Sequence, residues 1–194
     1  DGVATVLVHT IDDHVLGWGD NRRGQLGKPP RYLANQTAFL SNPMPLTILA
    51  DRGVCDLASI AGLSVAVTCG GECWLLGDGH ESLVARLPEG CIPWQVACSS
   101  QWIWVLVDEG QLYSLERQPK RSPVDSWPSW QKVPGPLASA LTANSAEAVV
   151  LTEGCVPSHL VPSAQLRWLD ARRHIVAAQP CPGRGASMAA VLDR

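Results

Sequence analysis

An all-β fold assembled from a small, repeated sheet is the architecture this sequence predicts, on three observations. Seventeen glycines and fifteen prolines in 194 residues leave few stretches of ten free of a breaker, which disfavours long helices. The apolar runs are short, rich in Val, Leu and Trp, and separated by polar or glycine-containing turns. The same strand-turn-strand layout then recurs along the chain, and recurrence at a fixed spacing marks a repeat architecture.

Taken in order, Val6-Leu7-Val8 leads through Asp12-Asp13 to Val15-Leu16-Gly17-Trp18-Gly19. Val65-Ala66-Val67-Thr68 leads through Gly70-Gly71 to Cys73-Trp74-Leu75-Leu76-Gly77, and Thr10 to Gly19 has the same nine-residue spacing as Thr68 to Gly77. A third copy runs from Trp104-Val105-Leu106-Val107 through Asp108-Glu109-Gly110 into Gln111-Leu112-Tyr113-Ser114-Leu115. A fourth, Ala148-Val149-Val150-Leu151-Thr152, turns at Glu153-Gly154 into Cys155-Val156, and Met188-Ala189-Ala190-Val191-Leu192-Asp193 closes the chain as a last strand with no room for its partner. Thr10, Thr68, Asp108, Thr152 and Asp193 are therefore equivalent points, 40 to 58 residues apart.

That period suits one propeller blade of about four short strands. A sheet so small cannot cover both of its faces, so it must stack on neighbours, and its strands are apolar on nearly every residue. Acidic and glycine turn residues fit tight hairpins, because Gly tolerates positive φ and Asp bonds to nearby backbone donors. Further strands precede the hairpins at Val54-Cys55-Asp56-Leu57-Ala58-Ser59-Ile60-Ala61-Gly62 and Trp94-Gln95-Val96-Ala97-Cys98-Ser99. Asn42-Pro43-Met44-Pro45 and the Pro-rich segment 117–136 read as surface loops. The repeats fall at about 1–60, 61–100, 101–145 and 146–194 of a single repeat region, 1–194.

A formal charge of −3 gives no global attraction to phosphate backbones. The local basic clusters, Lys120-Arg121 and Arg172-Arg173-His174, are short enough to be solvated loops. Seven irregularly spaced cysteines fit reduced, buried thiols better than a secreted disulfide framework. No apolar run approaches the roughly 20 residues that cross a bilayer, and no basic-then-apolar leader opens the chain. The expectation is a protein of the cytoplasm or nucleus without membrane insertion. Asn35-Gln36-Thr37 fits a glycosylation sequon that matters only in a secretory chain, and Asp1 in place of Met suggests a fragment or processed product.

Reactive spacing is sparse. Cys69 and Cys73 flank a hairpin turn without a second Cys or His pair, so neither a metal nor a cofactor is expected. The five histidines are dispersed, and Gly17-x-Gly19 and Gly183-x-Gly185 lack the full phosphate-cradling pattern. The chain is not expected to be an enzyme. Eight tryptophans against one Phe point instead to packing and to interfaces, where Trp brings large apolar area and one donor. Trp18 and Trp74 hold repeat positions and are expected between sheets. Trp127 and Trp130, with Lys120 and Arg121, lie in the Pro-rich segment, where they either contact a partner or fold back on the blade.

At Gly17-Trp18-Gly19-Asp20-Asn21 followed by Gly24-Gln25-Leu26-Gly27, the sequence resembles the regulator of chromosome condensation repeat family, whose units carry a WG-x-N-x-x-GQLG signature. The second copy keeps Ala61-Gly62 to Thr68 and Gly77-Asp78-Gly79-His80 but lacks the GQLG element, and the third has Leu115-Glu116 where Trp-Gly is expected. The fourth has no Trp-Gly segment, and Gly183-Arg184-Gly185-Ala186-Ser187-Met188-Ala189 resembles the family's Gly-x-x-His-Ser start with Ala186 in place of His. The resemblance implies an RCC1-like β-propeller, either partial with about four blades or a fragment of a seven-bladed ring. It also implies that Gly17, Trp18, Gly19, Asn21, Gly24, Gln25, Leu26 and Gly27 are structural, with Gly24 and Gly27 serving backbone geometry and Gln25 and Leu26 fixing the turn to the blade. The functional expectation is a noncatalytic scaffold with a protein partner, a subunit or domain of a larger protein or complex. Because some relatives are guanine nucleotide exchange factors for small GTPases and some contact chromatin, those two roles stand as alternatives.

Overall fold

The computed structural model describes residues 5–27, 38–60, 62–78, 80–117, 129–135, 137–143, 148–152, 157–160, 166–168, 175–180 and 188–192. Their backbone is almost entirely antiparallel sheet, in sheets whose strands lie side by side in chain order. The first sheet holds β1 (Thr5–His9), β2 (Val15–Asp20) and β3 (Phe39–Pro45). The second holds β4 (Val54–Ile60), β5 (Leu63–Thr68), β6 (Glu72–Gly77) and β7 (His80–Arg86), and the third β8 (Pro93–Cys98), β9 (Trp102–Val107), β10 (Leu112–Glu116) and β11 (Gln131–Lys132). The fourth holds β12 (Ala138–Ala143), β13 (Ala148–Thr152), β14 (Pro157–Leu160) and β15 (Leu166–Trp168), and β16 (Ile175–Pro180) pairs with β17 (Met188–Leu192) in the fifth. The chain divides into two compact units: residues 1–90 with 118–127, and 91–117 with 128–194.

Within the first unit, the two expected hairpins close by the same chemistry. Asp13 N–H donates to the Thr10 carbonyl at 3.1 Å, and Gly71 N–H to that of Thr68 at 2.8 Å. One residue later, His14 and Glu72 N–H groups donate to the hydroxyls of the same threonines at 3.1 and 3.2 Å. Gly19 and Gly77, nine residues beyond each threonine, both lie at φ 99°, a conformation that an L side chain rarely adopts. Val15, Leu46, Leu49, Val54, Ala66 and Leu76 are buried together, with Leu7, Ile48, Leu57 and Trp74 packed against them. Trp74 thus joins this cluster, as its repeat position predicts, and Trp18 is half-buried.

In the second unit, Trp104 is 1 % exposed and lies in a cluster with Ala97, Leu106, Leu112, Val133, Ala138, Leu141, Ala148 and Val150. Its hairpin turn differs from those of the first unit: Glu109 and Gly110 both take positive φ, and Val107 N–H donates to the Gln111 carbonyl at 2.9 Å.

Two loop expectations are corrected. Asn42-Pro43-Met44-Pro45 belongs to β3, opposite β2 with a register shift between Gly17 and Gly19. Proline is tolerated there because β3 is an edge strand, on which a missing N–H breaks no ladder. The segment 117–136 is likewise not loop throughout, since Gln131 and Lys132 pair with Ser114 and Tyr113 and Val133 N–H donates to the Leu112 carbonyl at 2.9 Å. The strand expected at Cys155-Val156 lies outside the described residues, β14 is described from Pro157, and β17 finds its partner in the preceding β16.

Leu75 on β6 is fully buried, as are Leu63 and Val67 on the neighbouring β5. Truncating Leu75→Ala is expected to destabilise the protein by about 2–5 kcal/mol through lost burial and the cavity left behind. Urea unfolding followed by far-ultraviolet circular dichroism measures this.

Candidate functional site

The richest group of polar side chains in the first unit surrounds the connection that leaves β2. Along β2 inward positions alternate with half-buried ones, and Gly17 faces inward. A Cβ there would lie 2.6 Å from Leu26 Cδ2 and 2.7 Å from Leu46 Cδ1, so only glycine leaves room for these two leucines. The chain then turns sharply, with Gly24 N–H donating to the Asn21 carbonyl at 3.0 Å and Gly27 N–H to the Gly24 carbonyl at 2.9 Å. Gly24 and Gly27 both have positive φ.

Two buried amides hold this turn. Asn21, 4 % exposed, accepts from Leu26 N–H at Oδ1 (2.9 Å) and donates from Nδ2 to the Gly27 carbonyl (3.2 Å). Gln25, 1 % exposed, accepts from Arg23 N–H at Oε1 (3.0 Å) and donates from Nε2 to the Thr5 hydroxyl (3.2 Å), which itself donates to the Asp20 carbonyl (2.9 Å). The turn is thereby tied back to β1 and β2.

It also reaches the second sheet. Asp78 N–H donates to the Arg23 carbonyl at 2.9 Å, and Arg23 Nη1 donates to Asp78 Oδ1 at 2.9 Å. A side chain on Gly77 would strike the Gly62 carbonyl and the Gln25 backbone, and one on Gly62 would strike the Arg23 stem. The neighbouring Arg22 donates from Nε and Nη2 to both oxygens of Asp20, each at 2.9 Å, which holds the Asp20 carboxyl below its ordinary range.

On the same unit, Arg52 stacks 3.8 Å from the Trp74 ring centroid, the Trp74 indole donates to Glu72 at 3.0 Å, and Arg86 pairs with Glu72 at 2.6 Å. This charged and aromatic cluster is not apparent from the sequence, where its members are spread over 35 positions.

The second unit presents apolar surface. Ile92, Trp94 and Leu137 are 57, 54 and 41 % exposed. Two of them flank the Asp108–Gly110 turn: Ile92 exchanges hydrogen bonds with Asp108, and Leu137 Cβ lies 3.0 Å from where a Cβ on Gly110 would stand. The register of β8 on β9 shifts between Pro93 and Gln95, leaving Trp94 as the extra, outward residue of a bulge. Of the tryptophans expected near a partner, Trp130 is only 8 % exposed and so folds back into its unit, whereas Lys120, Arg121 and Trp127 lie outside the described residues. So do Asn35-Gln36-Thr37, Arg172-Arg173-His174, Cys155, Cys181 and Gly183-x-Gly185. In the sequence Trp94 reads only as part of a strand, and the signal for its exposure, a bulge after Pro93, needs the register of β9.

Among the described residues, no group of three or more His, Cys, Asp or Glu side chains can hold a metal ion, and no helix is long and apolar enough to cross a membrane.

Residues 12–76 match the regulator of chromosome condensation (RCC1) repeat. The RCC1 domain-containing protein RUG3, mitochondrial, of Arabidopsis thaliana is 36 % identical over 85 residues, which is 43 % of this chain and 18 % of that protein. Human WBSCR16 superposes with a TM-score of 0.69 at 18 % identity, covering 98 % of this chain and 57 % of that one. Yeast RCC1 (Prp20), in its complex with Kap60, gives 0.64 at 18 % identity over 92 % of this chain and 51 % of that one. Prp20p from Saccharomyces cerevisiae, in a structure described with its binding properties to Gsp1p and histones, gives 0.63 at 17 % identity over 90 and 51 %. The chain thus spans about a fifth of the curated relative and about half of the solved ones. These likenesses establish a fold of the RCC1 β-propeller type.

Asn21→Ala leaves the Leu26 N–H and the Gly27 carbonyl without their partner in a buried setting, and is expected to cost about 2–4 kcal/mol in urea unfolding. Arg23→Ala, which removes a pair whose arginine is 60 % exposed, is expected to cost under about 1 kcal/mol. Asp20 is expected to titrate below the ordinary aspartate value of about 3.9, and Arg22→Gln to return it toward that value, as read from carboxyl-carbon chemical shifts. The sign follows from linkage: the stabilisation is fully present above the unfolded-state value and fades as pH falls through the lower folded one.

Proposed function

We propose that this chain, an RCC1-repeat protein of the β-propeller class, is a noncatalytic scaffold that holds a protein partner, in the cytoplasm or nucleus and as part of a larger protein or complex. The observation that carries this reading is the exposed apolar surface of the second unit, with Ile92 and Leu137 at the Asp108–Gly110 turn and Trp94 on the neighbouring bulge of β8. An outward tryptophan flanked by aliphatic side chains suits an interface centre, because it offers large apolar area on a rigid two-torsion side chain. Its mounting on a bulge bounded by ladder hydrogen bonds limits the ordering cost of binding. The Gly17–Gly27 signature supports the same reading from the other side, since its amides are engaged with backbone and with Thr5 and serve to hold the framework. In this reading residues 1–194 are one repeat region, and the partner-facing role expected of Trp130 passes to Trp94.

A second reading rests on the likeness to Prp20p, whose structure is described together with binding to Gsp1p and histones. By analogy of fold alone, the chain would act on a small GTPase as an exchange factor or regulator, or on chromatin as an adaptor. Its charge of −3 favours the former over the latter.

The test uses the full 194-residue chain, crosslinked in extract beside Trp94→Asp and Leu137→Asp, with Ile11→Asp, a fully exposed position of the first unit, as control. A protein retained by the wild type and the control but lost from both unit-two variants, with unchanged circular dichroism, is the expected result. Equal retention by all four removes the scaffold face. Acceleration of nucleotide release across a small-GTPase panel, unaffected by the Trp94 and Leu137 changes, would replace the first reading with the second.

A further inference from the structure

Cys55 and Cys69 stand fourteen positions apart in the sequence, and strand pairing brings them together. Val54 pairs with Thr68 and Asp56 with Val67, so Cys55 is the extra residue of a bulge in β4. Immediately beyond that pair, Cys69 N–H donates to the Gly53 carbonyl at 2.8 Å. The bulge and this bond set the two thiols side by side, close enough to interact. Both are unbridged thiols, Cys69 exposed and Cys55 half-buried. The backbone that carries them is already fixed by the β4–β5 ladder and by Gly53 N–H, which donates to Asp13 Oδ2 at 3.1 Å.

From this juxtaposition we infer that Cys55 and Cys69 form a thiol modification site, oxidised to an intramolecular disulfide by exchange with a low-molecular-weight disulfide of the glutathione class. Cys69 is the entry point because it is the exposed member. It loses its proton to solvent, and its thiolate attacks one sulfur of the oxidant. A Cys69 mixed disulfide forms, and one small thiolate departs to be protonated. Cys55 then attacks Cys69 Sγ, giving up its own proton and expelling the second small thiol. The two cysteines lose two electrons together and the oxidant gains them, so one small disulfide becomes two small thiols. Burial, reinforced by the neighbouring Cys69 thiol, pushes the Cys55 thiol up to about 12. Little of it is thiolate near neutral pH, so resolution is slower than attack and the mixed disulfide accumulates first.

The site differs from the Cys69-Cys73 pair that close sequence spacing suggests. Cys73 is fully buried on β6, opposite Val67 and Ala85, and has no access to a soluble oxidant without local opening.

The intact 194-residue protein is equilibrated in mixtures of reduced and oxidised glutathione, quenched in acid, alkylated, digested and examined by mass spectrometry. The expected result is the loss of two of its seven alkylatable thiols and a peptide linking Cys55 to Cys69, both reversed by dithiothreitol. Cys55→Ser is expected to hold Cys69 as a glutathione adduct. Cys69→Ser, a change at an exposed position, is expected to abolish both the link and any adduct on Cys55. A wild-type Cys69 that stays a mixed disulfide in the most oxidising mixture overturns the inference, and so does a Cys69-Cys73 link.

Discussion

The first unit depends on two buried amide side chains that take the place of a strand. Between β2 and β3 the chain leaves the ladder, and backbone groups in that turn would lie buried without partners. Asn21 and Gln25 supply the missing bonds: one amide spans Leu26 and Gly27, the other links Arg23 to Thr5. In a buried setting, a bond of this kind matters less for what it adds than for the desolvation cost of leaving its partners unmet. With the amides in place, Leu26 can fill the space above Gly17, and the Arg23 backbone can receive Asp78 from the second sheet. Polar satisfaction thus precedes apolar packing here, and the closeness of the two sheets follows from both.

A second constraint explains why the glycines fall where they do. Gly77 lies against the Gly62 carbonyl and the Gln25 backbone at a φ of 99°, which forbids a side chain on grounds of space and of torsion together. Gly19 has the same torsion at the same distance from its hairpin threonine. One sequence spacing has therefore produced one backbone path twice. In the second unit the third copy has neither the threonine nor the Trp-Gly pair, and its turn is made by Asp108, Glu109 and Gly110 in front of a fully packed Trp104. Turn chemistry has changed while the hairpin persists, because an apolar core of suitable volume can hold a sheet that special turn residues no longer specify.

What the sequence made legible follows the same division. The strands of the central hairpins were readable because each is a short apolar run with a turn signal at its end, and the Thr10 and Thr68 alignment led to truly equivalent bonds. The edge strands were not. β3 contains two prolines, β11 is two residues long and β15 three, so propensity and periodicity carry little there, and pairing with an inner strand is what defines them. At the signature, the residues were legible as structural through family resemblance, but the Gln25 to Thr5 bond was not, since it joins positions twenty apart. The exposure of Trp94 and the meeting of Cys55 with Cys69 were hidden for one shared reason. Each depends on a bulge, and a bulge is a property of two strands in register, visible in neither strand alone.

The repeat ranges expected from the sequence are offset from the sheets, and an offset of this kind has a mechanical consequence. Residues 1–60 supply β1, β2 and β3 to one sheet and β4 to the next, and 101–145 likewise supply β9, β10 and β11 to one sheet and β12 to the next. In each case the fourth strand is hydrogen-bonded to the following range, so neither of these two ranges completes a four-stranded sheet by itself. A unit built this way shares its stability across neighbours, because removing one repeat would leave its successor with an unpaired inner strand as well as an uncovered face. The bulges stand at this splice: Cys55 is on β4 and Trp94 on β8, each the first strand of its sheet. A first strand is an edge strand, free on one side to absorb an extra residue without breaking a second ladder. An outward side chain such as Trp94, or a thiol turned toward the exposed Cys69 as Cys55 is, therefore finds its place on those strands, whereas the inner strands β5 and β9 remain committed to the core.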